Sequence, residues 1–292
     1  MPQRSGFVNI IGRPNAGKST LMNALVGEPM AIISHKAQTT RHRILGIVNE
    51  KDLQIVFSDT PGIIDPKYKL QKIMMRSVSS AMKDADVLIW LTTIGTDPED
   101  EQDLIRKVKD HKAPLMVLIN KIDLSEQDKI ENDVTVWRKA LPNALVAPIS
   151  ALHDFNVQMV YDKIVELIPE HPQYFEEGEL TDRPLRFFVS EMIREKILKN
   201  YHQEIPYSCE VVVTEFKDED RIVRIKAEIM VARETQKGII IGHQGKMLKR
   251  TGTQSRLELE KYLQKKIYLE LFVKVDKNWR DKDDTLKKYG YN

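Results

Sequence analysis

A glycine-bounded loop near the start of the chain has residue types that bind phosphate groups. Residues 12–19 match G-x-x-x-x-G-K-[ST], directly after an apolar strand and at the start of an apolar helix. Its backbone N–H groups and the helix N-terminus can hold a polyphosphate, Lys18 can bridge the β- and γ-phosphates, and the Ser19 hydroxyl can bind Mg²⁺. The residues expected to contact a nucleoside triphosphate are Gly12, Arg13, Pro14, Asn15, Ala16, Gly17, Lys18, Ser19 and Thr20.

A second segment, residues 120–123 (NKID), indicates which base is bound. It follows an apolar strand, and ligands of open α/β sheets lie at the carboxyl ends of strands. The Asp123 carboxylate can accept hydrogen bonds from N1–H and N2–H₂ of guanine, a donor pair that adenine lacks. Lys121 can lie along the base, and Asn120 can tie this segment to the phosphate loop. Past the last strand come Ser150, Ala151 and Leu152, where the Ala151 N–H can contact guanine O6.

Two polar segments between these motifs can respond to the γ-phosphate. Asp59 follows a strand and can hold Mg²⁺ through water, and the Gly62 N–H can contact the γ-phosphate. In residues 38–42, Thr40 is the expected third metal ligand, with Thr39 as the alternative. The expected metal ligands are thus Ser19, Thr40 and Asp59, the further nucleotide contacts are Thr60 and Pro61, and the catalytic set is Asn15, Lys18, Thr40, Asp59 and Gly62.

These motifs must be positioned by alternating strands and helices. Short apolar runs predict buried strands at Phe7–Ile11, Leu53–Phe57, Val87–Leu91, Leu115–Ile119 and Leu145–Pro148, with an antiparallel strand at Arg43–Val48. Helical patterns lie between them, at about 18–26, 68–83, 99–111, 126–140 and 156–168. Residues 1–168 are therefore predicted to form an α/β domain whose mixed, mostly parallel six-stranded sheet is covered by helices.

The element order changes after a segment that is typical of a linker, residues 169–185, with three prolines and five acidic residues. Residues 186–280 are predicted to form a smaller α+β domain with a three-stranded sheet. Its expected elements are a helix at 186–200, strands at Ser208–Phe216 and Ile222–Val231, helices at 233–241 and up to Lys265, and a strand at Ile267–Val275. The charged end of the chain, including the tail 281–292, is expected to be solvated.

A G-x-x-G loop lies between the last two helices of this second domain. In KH domains such a loop clamps about four nucleotides of single-stranded RNA, because glycines let the sugar-phosphate backbone approach closely. Three basic residues follow it on the next helix and can meet phosphates. The expected RNA-binding residues are Gly242, His243, Gln244, Gly245, Lys246, Lys249 and Arg250. A lone G-x-x-G is usually only a turn, so the prediction of RNA binding depends on the surrounding α+β pattern and on the positive charge of this domain.

Composition limits the class of protein. The chain of 292 residues is 41% hydrophobic and 30% charged, a globular balance that argues against disorder. Up to residue 185 it has 22 Lys and Arg against 26 Asp and Glu, and beyond it 23 against 17, so the second part is basic. The single cysteine, Cys209, excludes an internal disulfide, and no signal peptide or membrane-spanning run is found. These features predict a cytoplasmic protein, or one peripheral to the inner face of the cell membrane.

With all five nucleotide motifs in order, the chain resembles translation-factor-like GTPases. The strings GRPNAGKST and KAQTTRHRI, together with the second domain, resemble the Era GTPase family over essentially the whole chain. The resemblance implies a type II KH domain that binds the 3′ end of 16S ribosomal RNA, and a role in maturation of the small ribosomal subunit. Ile63 stands where Ras-like proteins have a water-positioning glutamine. The resemblance implies a slow GTPase in which K⁺, held partly by Asn15, assists hydrolysis.

The leading hypothesis is a monomeric molecular switch. GTP and Mg²⁺ would order residues 34–42 and 59–68, and hydrolysis would change the RNA affinity of the second domain. The alternative is a GTPase whose basic domain docks on anionic lipid or on another polypeptide. A P-loop kinase or ATPase is disfavoured because Asp123 has no role with adenine.

Overall fold

The computed structural model describes residues 3–291, which form two compact units. The first comprises the described residues up to Ile33, Thr40–Asp65 and Met74–Asp182. The second comprises Ser34–Thr39, Pro66–Ile73 and the described residues from Arg183 onward. Two short segments of the range predicted as the first domain therefore belong to the second unit. Residues 1, 2 and 292, at the ends of the predicted domain and tail ranges, lie outside the described residues.

The first unit contains the predicted six-stranded sheet. Its strands are β1 (Arg4–Ile11), β2 (Ile44–Glu50), β3 (Leu53–Asp59), β4 (Val87–Thr93), β5 (Leu115–Asn120) and β6 (Leu145–Pro148). The order is β2-β3-β1-β4-β5-β6, and only the β2–β3 pair is antiparallel. Every residue of β3 is buried, as expected for an inner strand of a sheet with both faces covered. The mixed, mostly parallel sheet is confirmed.

Helices connect the strands close to where the sequence predicts them. They are α1 (Lys18–Val26), α2 (Lys69–Lys83), α3 (Gln102–Val108), α4 (Gln127–Ala140) and α5 (Val157–Leu167). The largest difference is α3, which is shorter than the predicted 99–111 because a 3-10 turn at Pro98–Glu101 precedes it. On α4 and β4, Trp137 and Trp90 pack edge to face with ring centroids 4.9 Å apart in the core.

The segment predicted as a linker is mostly bound to the first unit. The Ser5 N–H donates to Pro169 O, and the Ile47 N–H donates to Leu180 O. The buried Gln54 side chain accepts from the N–H groups of Tyr174 and Phe175. Residues 169–182 thus form several hydrogen bonds with the sheet domain, which proline content and acidity alone do not indicate.

The second unit contains a three-stranded sheet and five helices among the described residues. They are α6 (Leu185–Asn200), α7 (Ile205–Ser208), β7 (Cys209–Asp218), β8 (Ile222–Val231), α8 (Glu234–Ile241), α9 (Lys246–Leu263), β9 (Lys266–Val275) and α10 (Asp283–Lys288). The strand order is β7-β8-β9, with β7–β8 antiparallel and β8–β9 parallel. This is the predicted α+β arrangement, to which the structure adds α7 and α10.

The end of the chain packs into this second unit. Trp279 is fully buried and its indole N–H donates to Ser208 O at 3.1 Å. Leu286 of α10 is also fully buried, and the Tyr291 hydroxyl donates to Glu210 at 2.6 Å. The expectation of a solvated end is therefore wrong. Trp279, Leu286 and Tyr291 are buried although the residues around them are mostly charged. The charged composition of the segment does not indicate this burial.

The helices of the described part of the chain do not meet the requirements of a lipid bilayer. Within residues 3–291, no helix is both long enough and apolar enough to cross a membrane. The longest helix, α9, has 18 residues, and basic and acidic side chains recur along it.

Leu286→Ala should unfold the end of the chain. Removing a fully buried leucine costs about 2–5 kcal/mol, so amide hydrogen exchange of residues 279–291 should accelerate strongly. Lys287→Ala, at the exposed neighbouring position, should leave exchange unchanged. Equal exchange in both variants would contradict the packing of α10.

Candidate functional site

The phosphate loop connects β1 to α1, and its glycines are sterically required. A Cβ at Gly12 would lie 2.2 Å from Leu91 O, and one at Gly17 would lie 2.3 Å from the Asn120 side chain. Both residues have positive φ, 152° and 100°, which a residue with a side chain rarely adopts. Asn15 also has positive φ, 63°. The backbone therefore wraps tightly, and α1 begins directly after Gly17.

Lys18 lies at the centre of this loop and is buried. Its ammonium donates to Gly12 O at 3.1 Å and to Arg13 O at 2.9 Å. Burial lowers the pKa of Lys18 to about 8, and the nearby Asp59 carboxylate opposes that shift. Because an anion would also oppose it, the site favours a negatively charged ligand.

The three predicted metal ligands come together at the edge of the loop. The Ser19 hydroxyl donates to Asp59 Oδ2 at 2.6 Å, and the Thr40 hydroxyl donates to the same oxygen at 2.9 Å. The two hydroxyl oxygens are 2.9 Å apart. Thr39, the alternative ligand, instead donates its hydroxyl to Lys36 O at 2.6 Å. Thr40 is thus the threonine that the structure brings to Ser19 and Asp59.

These oxygen atoms fit a hard divalent cation. Asp59 is fully buried, and its Oδ1 has no hydrogen-bond partner among residues 3–291. Burial raises the pKa of Asp59, opposed by the Lys18 ammonium and by hydrogen bonds from Ser19 and Thr40. A buried carboxylate oxygen without a donor is costly unless a cation is present. The donor set, a carboxylate and two hydroxyls, is one that Mg²⁺ accepts.

The residues after Asp59 are held against the phosphate loop. A Cβ at Gly62 would lie 2.8 Å from the Pro14 backbone, so no side chain fits there. The Ile63 N–H donates to Gly12 O at 3.0 Å, and the Ile63 side chain packs on the hydrophobic core. Ile63 therefore has no polar side-chain atom with which to position water.

The predicted base-binding residues meet at the ends of β5 and β6. Asn120 donates its amide to Ala16 O at 2.7 Å, which provides the predicted tie to the phosphate loop. The Ala151 N–H donates to Asn120 Oδ1 at 2.9 Å, and its contact with guanine O6 stays a prediction. Ser150 donates to Asp123 Oδ1 at 2.6 Å and thereby orients that carboxylate. Leu152 lies largely exposed at the rim.

Sequence reasoning missed a partner of the phosphate loop. The Arg13 guanidinium Nε donates to both carboxylate oxygens of Glu101, at 2.9 and 3.0 Å, and Glu101 is 5% exposed. Glu101 lies in the acidic stretch 97–103 at the start of the predicted helix 99–111, and such a composition is typical of an exposed surface. No spacing signal links two residues 88 positions apart.

The G-x-x-G loop of the second unit is a tight 3-10 turn, His243–Gly245, between α8 and α9. Gly242 and Gly245 have φ of 70° and 74°, and the Gly245 N–H donates to Gly242 O at 3.1 Å. The side chains expected to bind RNA from the loop and α9 are exposed, namely His243, Gln244, Lys246, Lys249 and Arg250.

A groove of about 360 Å³ continues from this loop between α9 and β9. Sequence reasoning missed most of its lining, which consists of Gly245, Leu248, Lys249, Gly252, Thr253, Arg256, Leu269 and Leu271. The lining residues from Gly245 to Arg256 are three or four positions apart, so they lie on one face of α9. This helical periodicity is the sequence signal from which that side of the groove could have been predicted.

Two family models and several characterised relatives match this chain. A family model described as "50S ribosome-binding GTPase" matches residues 7–121, and one described as "KH domain" matches residues 204–280. The GTPase Era of Ruminiclostridium cellulolyticum is 42% identical over 293 residues, covering 100% of this chain and 98% of the relative. The GTPase Era of Geobacter sp. strain M21 is 46% identical over 290 residues, covering 99% and 98%.

Two solved structures are similar over the full length. One is Era in complex with MgGDPNP and nucleotides 1506–1542 of 16S ribosomal RNA, and the other is an Aquifex aeolicus Era variant bound to GDP and AlF₄⁻. Each has a TM-score of 0.94 and 38% sequence identity, and covers 99% of both chains. The predicted GTPase and KH folds are thereby confirmed.

Asp123→Asn should change the nucleotide preference. Removing the acceptor for two guanine donors should weaken GTP binding about 100-fold, while the amide can donate to the extra carbonyl of xanthine and so favour XTP. Fluorescent-nucleotide titration measures both affinities. Asp128→Asn removes the same charge from an exposed position on α4 and should change neither. Unaltered GTP affinity in the Asp123 variant would contradict the assigned base site.

Proposed function

The chain belongs to the Era family of GTPases, and from that premise we propose that it is a GTP-hydrolysing switch that binds the 3′ end of 16S ribosomal RNA. One observation carries the proposal: a single chain has both a set of converging phosphate- and guanine-site residues and a glycine-bounded loop followed by exposed basic side chains. The solved relative that holds MgGDPNP and 16S ribosomal RNA supports the same pairing of ligands.

In the nucleotide site, each residue has a role that follows from its contacts. Lys18, released from its two carbonyl partners, would bind the β- and γ-phosphates. Ser19 and Thr40 would hold Mg²⁺ directly and Asp59 through water, and the bound ion would neutralise charge developing on the phosphates. The Gly62 N–H would contact the γ-phosphate. Asp123, oriented by Ser150, would select guanine.

Hydrolysis requires an ordered water molecule, and the Ile63 side chain cannot form the hydrogen bond that would orient it. Asn15 has an exposed position in the phosphate loop with φ of 63°, so its side chain is available beside the phosphates. We propose that Asn15 helps hold K⁺ there, which would supply positive charge in place of an arginine finger.

The K⁺ proposal predicts that GTP hydrolysis is faster in K⁺ than in Na⁺. Losing one preorganised charge-stabilising group costs roughly 100-fold in rate, and Asn15→Ala should abolish the difference between the two ions. Fluorescent GDP with aluminium fluoride gives a second readout, since formation of this transition-state mimic should also require K⁺ only in the wild type. Equal rates and equal complex formation in both ions would disprove the role of K⁺.

In the second domain, the loop and the groove would receive single-stranded RNA. The absence of side chains at Gly242 and Gly245 lets a sugar-phosphate backbone approach, and Lys246, Lys249 and Arg250 are exposed beside it. Bases would enter the groove between α9 and β9. The role would be maturation and assembly of the small ribosomal subunit, by a monomer in the cytoplasm or at the inner face of the cell membrane.

Nucleotide state and RNA affinity would be coupled. Thr40 contacts the Ser19 and Asp59 side chains, whereas the preceding residues Ser34–Thr39 belong to the second unit. A change at Thr40 on GTP hydrolysis would therefore alter a segment packed with the KH domain. By thermodynamic linkage, bound RNA would change the ratio of the protein's affinities for GTP and GDP by the same factor by which the nucleotide changes RNA affinity.

Gly245→Asp tests the RNA site. A Cβ at this position meets no atom within 4 Å, although the φ of 74° favours glycine and adds local backbone strain. The carboxylate should repel the RNA backbone, weakening binding of a 16S 3′-end oligonucleotide by tenfold or more while GTPase activity is retained. Gly238→Asp places the same charge in open space four residues before Gly242 and should bind normally.

Salt dependence distinguishes RNA from other partners. Each lysine that contacts a phosphate should contribute about 0.7 to the slope of log affinity against log salt for a single strand, so Lys249→Ala should reduce that slope. Unchanged RNA binding in the Gly245 variant would favour the alternative, in which the basic domain docks on lipid or protein.

A further inference from the structure

Two contacts join the segment Ser34–Thr39 to α6 and to the residue that follows this helix. The Lys36 ammonium donates to the backbone carbonyl of Tyr201, and the Arg194 guanidinium donates to the carbonyl of Thr39. Arg194 lies on α6, and Tyr201 is the residue that directly follows this helix. Both acceptors are backbone carbonyls, so the contacts fix the path of the segment relative to α6.

Tyr201 also contacts the helices on both sides of the RNA-binding loop. Its ring is 3% exposed, and its hydroxyl donates to Ile240 O at 2.8 Å. The Thr251 hydroxyl of α9 donates to the same tyrosine oxygen at 3.2 Å. Ile240 lies in the last turn of α8, two residues before Gly242, where helix carbonyls lack an intrahelical partner. One hydroxyl thus joins the end of α8 to α9 across the G-x-x-G loop.

We propose that Tyr201 is the positioning residue that couples the segment Ser34–Thr39 to the G-x-x-G loop. Its backbone carbonyl holds Lys36, and its hydroxyl holds the two helices that set the separation of Gly242 and α9. Because the side chain is buried, a shift of the carbonyl with Lys36 is transmitted to the hydroxyl end with little room for independent motion. The inference rests on the proposed function and names the residues that carry its coupling.

An alternative explanation is that Tyr201 serves only the core of the KH domain. Its ring packs among the buried apolar residues that join α6 to the sheet. A purely structural role would change stability and RNA affinity equally in every nucleotide state. The coupling role instead changes the ratio of RNA affinities between states, which is the quantity to be measured.

Tyr201→Phe removes the hydroxyl and leaves both the ring and the carbonyl. RNA affinity of the full chain is measured with GDP and with a non-hydrolysable GTP analogue, using a labelled 16S 3′-end oligonucleotide. We expect a wild-type ratio of about fivefold or more, which falls to near one in Tyr201→Phe. Tyr291→Phe is the matched control, because it removes another buried tyrosine hydroxyl of the same unit, bonded to Glu210, and should keep the wild-type ratio.

Lys36→Met tests the Lys36 end of the proposed route. Because Lys36 is not a core residue, this test does not depend on whether a core variant folds. Lys36 is only partly buried, and methionine keeps most of the stem while removing the donor to Tyr201. The ratio should fall as in Tyr201→Phe, and the double variant should show no additional loss. Lys199→Met, a partly exposed lysine on α6 bonded to Glu195, should keep the ratio.

Outcomes separate this inference from the function on which it rests. If the wild type binds RNA with a nucleotide-dependent ratio and either Tyr201→Phe or Lys36→Met keeps that ratio, the route through Tyr201 is wrong and the coupled switch stands. A wild-type ratio of one removes both the coupling and the route. The reciprocal measurement, nucleotide affinity with and without RNA, must change by the same factor in each variant.

Discussion

The buried carboxylate of Asp59 is the constraint on which the nucleotide site depends. A charge removed from water must be paired and hydrogen-bonded, and here the Lys18 ammonium and the hydroxyls of Ser19 and Thr40 meet that need. Lys18 and Ser19 come from the junction of the phosphate loop and α1, whereas Thr40 directly follows the segment Ser34–Thr39. A single requirement therefore brings two separate parts of the chain to the end of β3.

Hydrogen bonds of one side chain, Asn120, likewise hold the base site together. Asn120 joins the end of β5 to the phosphate loop through Ala16 and to the last strand through Ala151, so the phosphate and base subsites share one rigid frame. Arg13 and Glu101 anchor the outer side of the same loop. These contacts keep the spacing between the phosphate loop and Asp123 constant, as a nucleotide of fixed length requires.

The second unit combines the KH domain with two short segments from the first part of the sequence. Segments Ser34–Thr39 and Pro66–Ile73 pack with it, and the buried end of the chain contacts the second of these. The Lys69 backbone N–H donates to Asp281, and the Arg280 guanidinium lies 4.7 Å from the centre of the Tyr68 ring. Two segments from the first part of the sequence thus belong to the same compact unit as the KH domain, which supports the coupling proposed above.

The local motifs were predictable from sequence because each depends on backbone geometry within a few residues. The strand–loop–helix of the phosphate site, the alternation behind the six-stranded sheet and the glycines of the G-x-x-G loop belong to this group. The pairing of Glu101 with Arg13, the hydrogen bond of the Thr39 hydroxyl to Lys36 O and the burial of Leu286 join residues far apart in the chain or depend on which way a side chain turns. Composition and periodicity carry no information about such contacts, because they are decided only when the whole core packs and each buried polar group must find a partner.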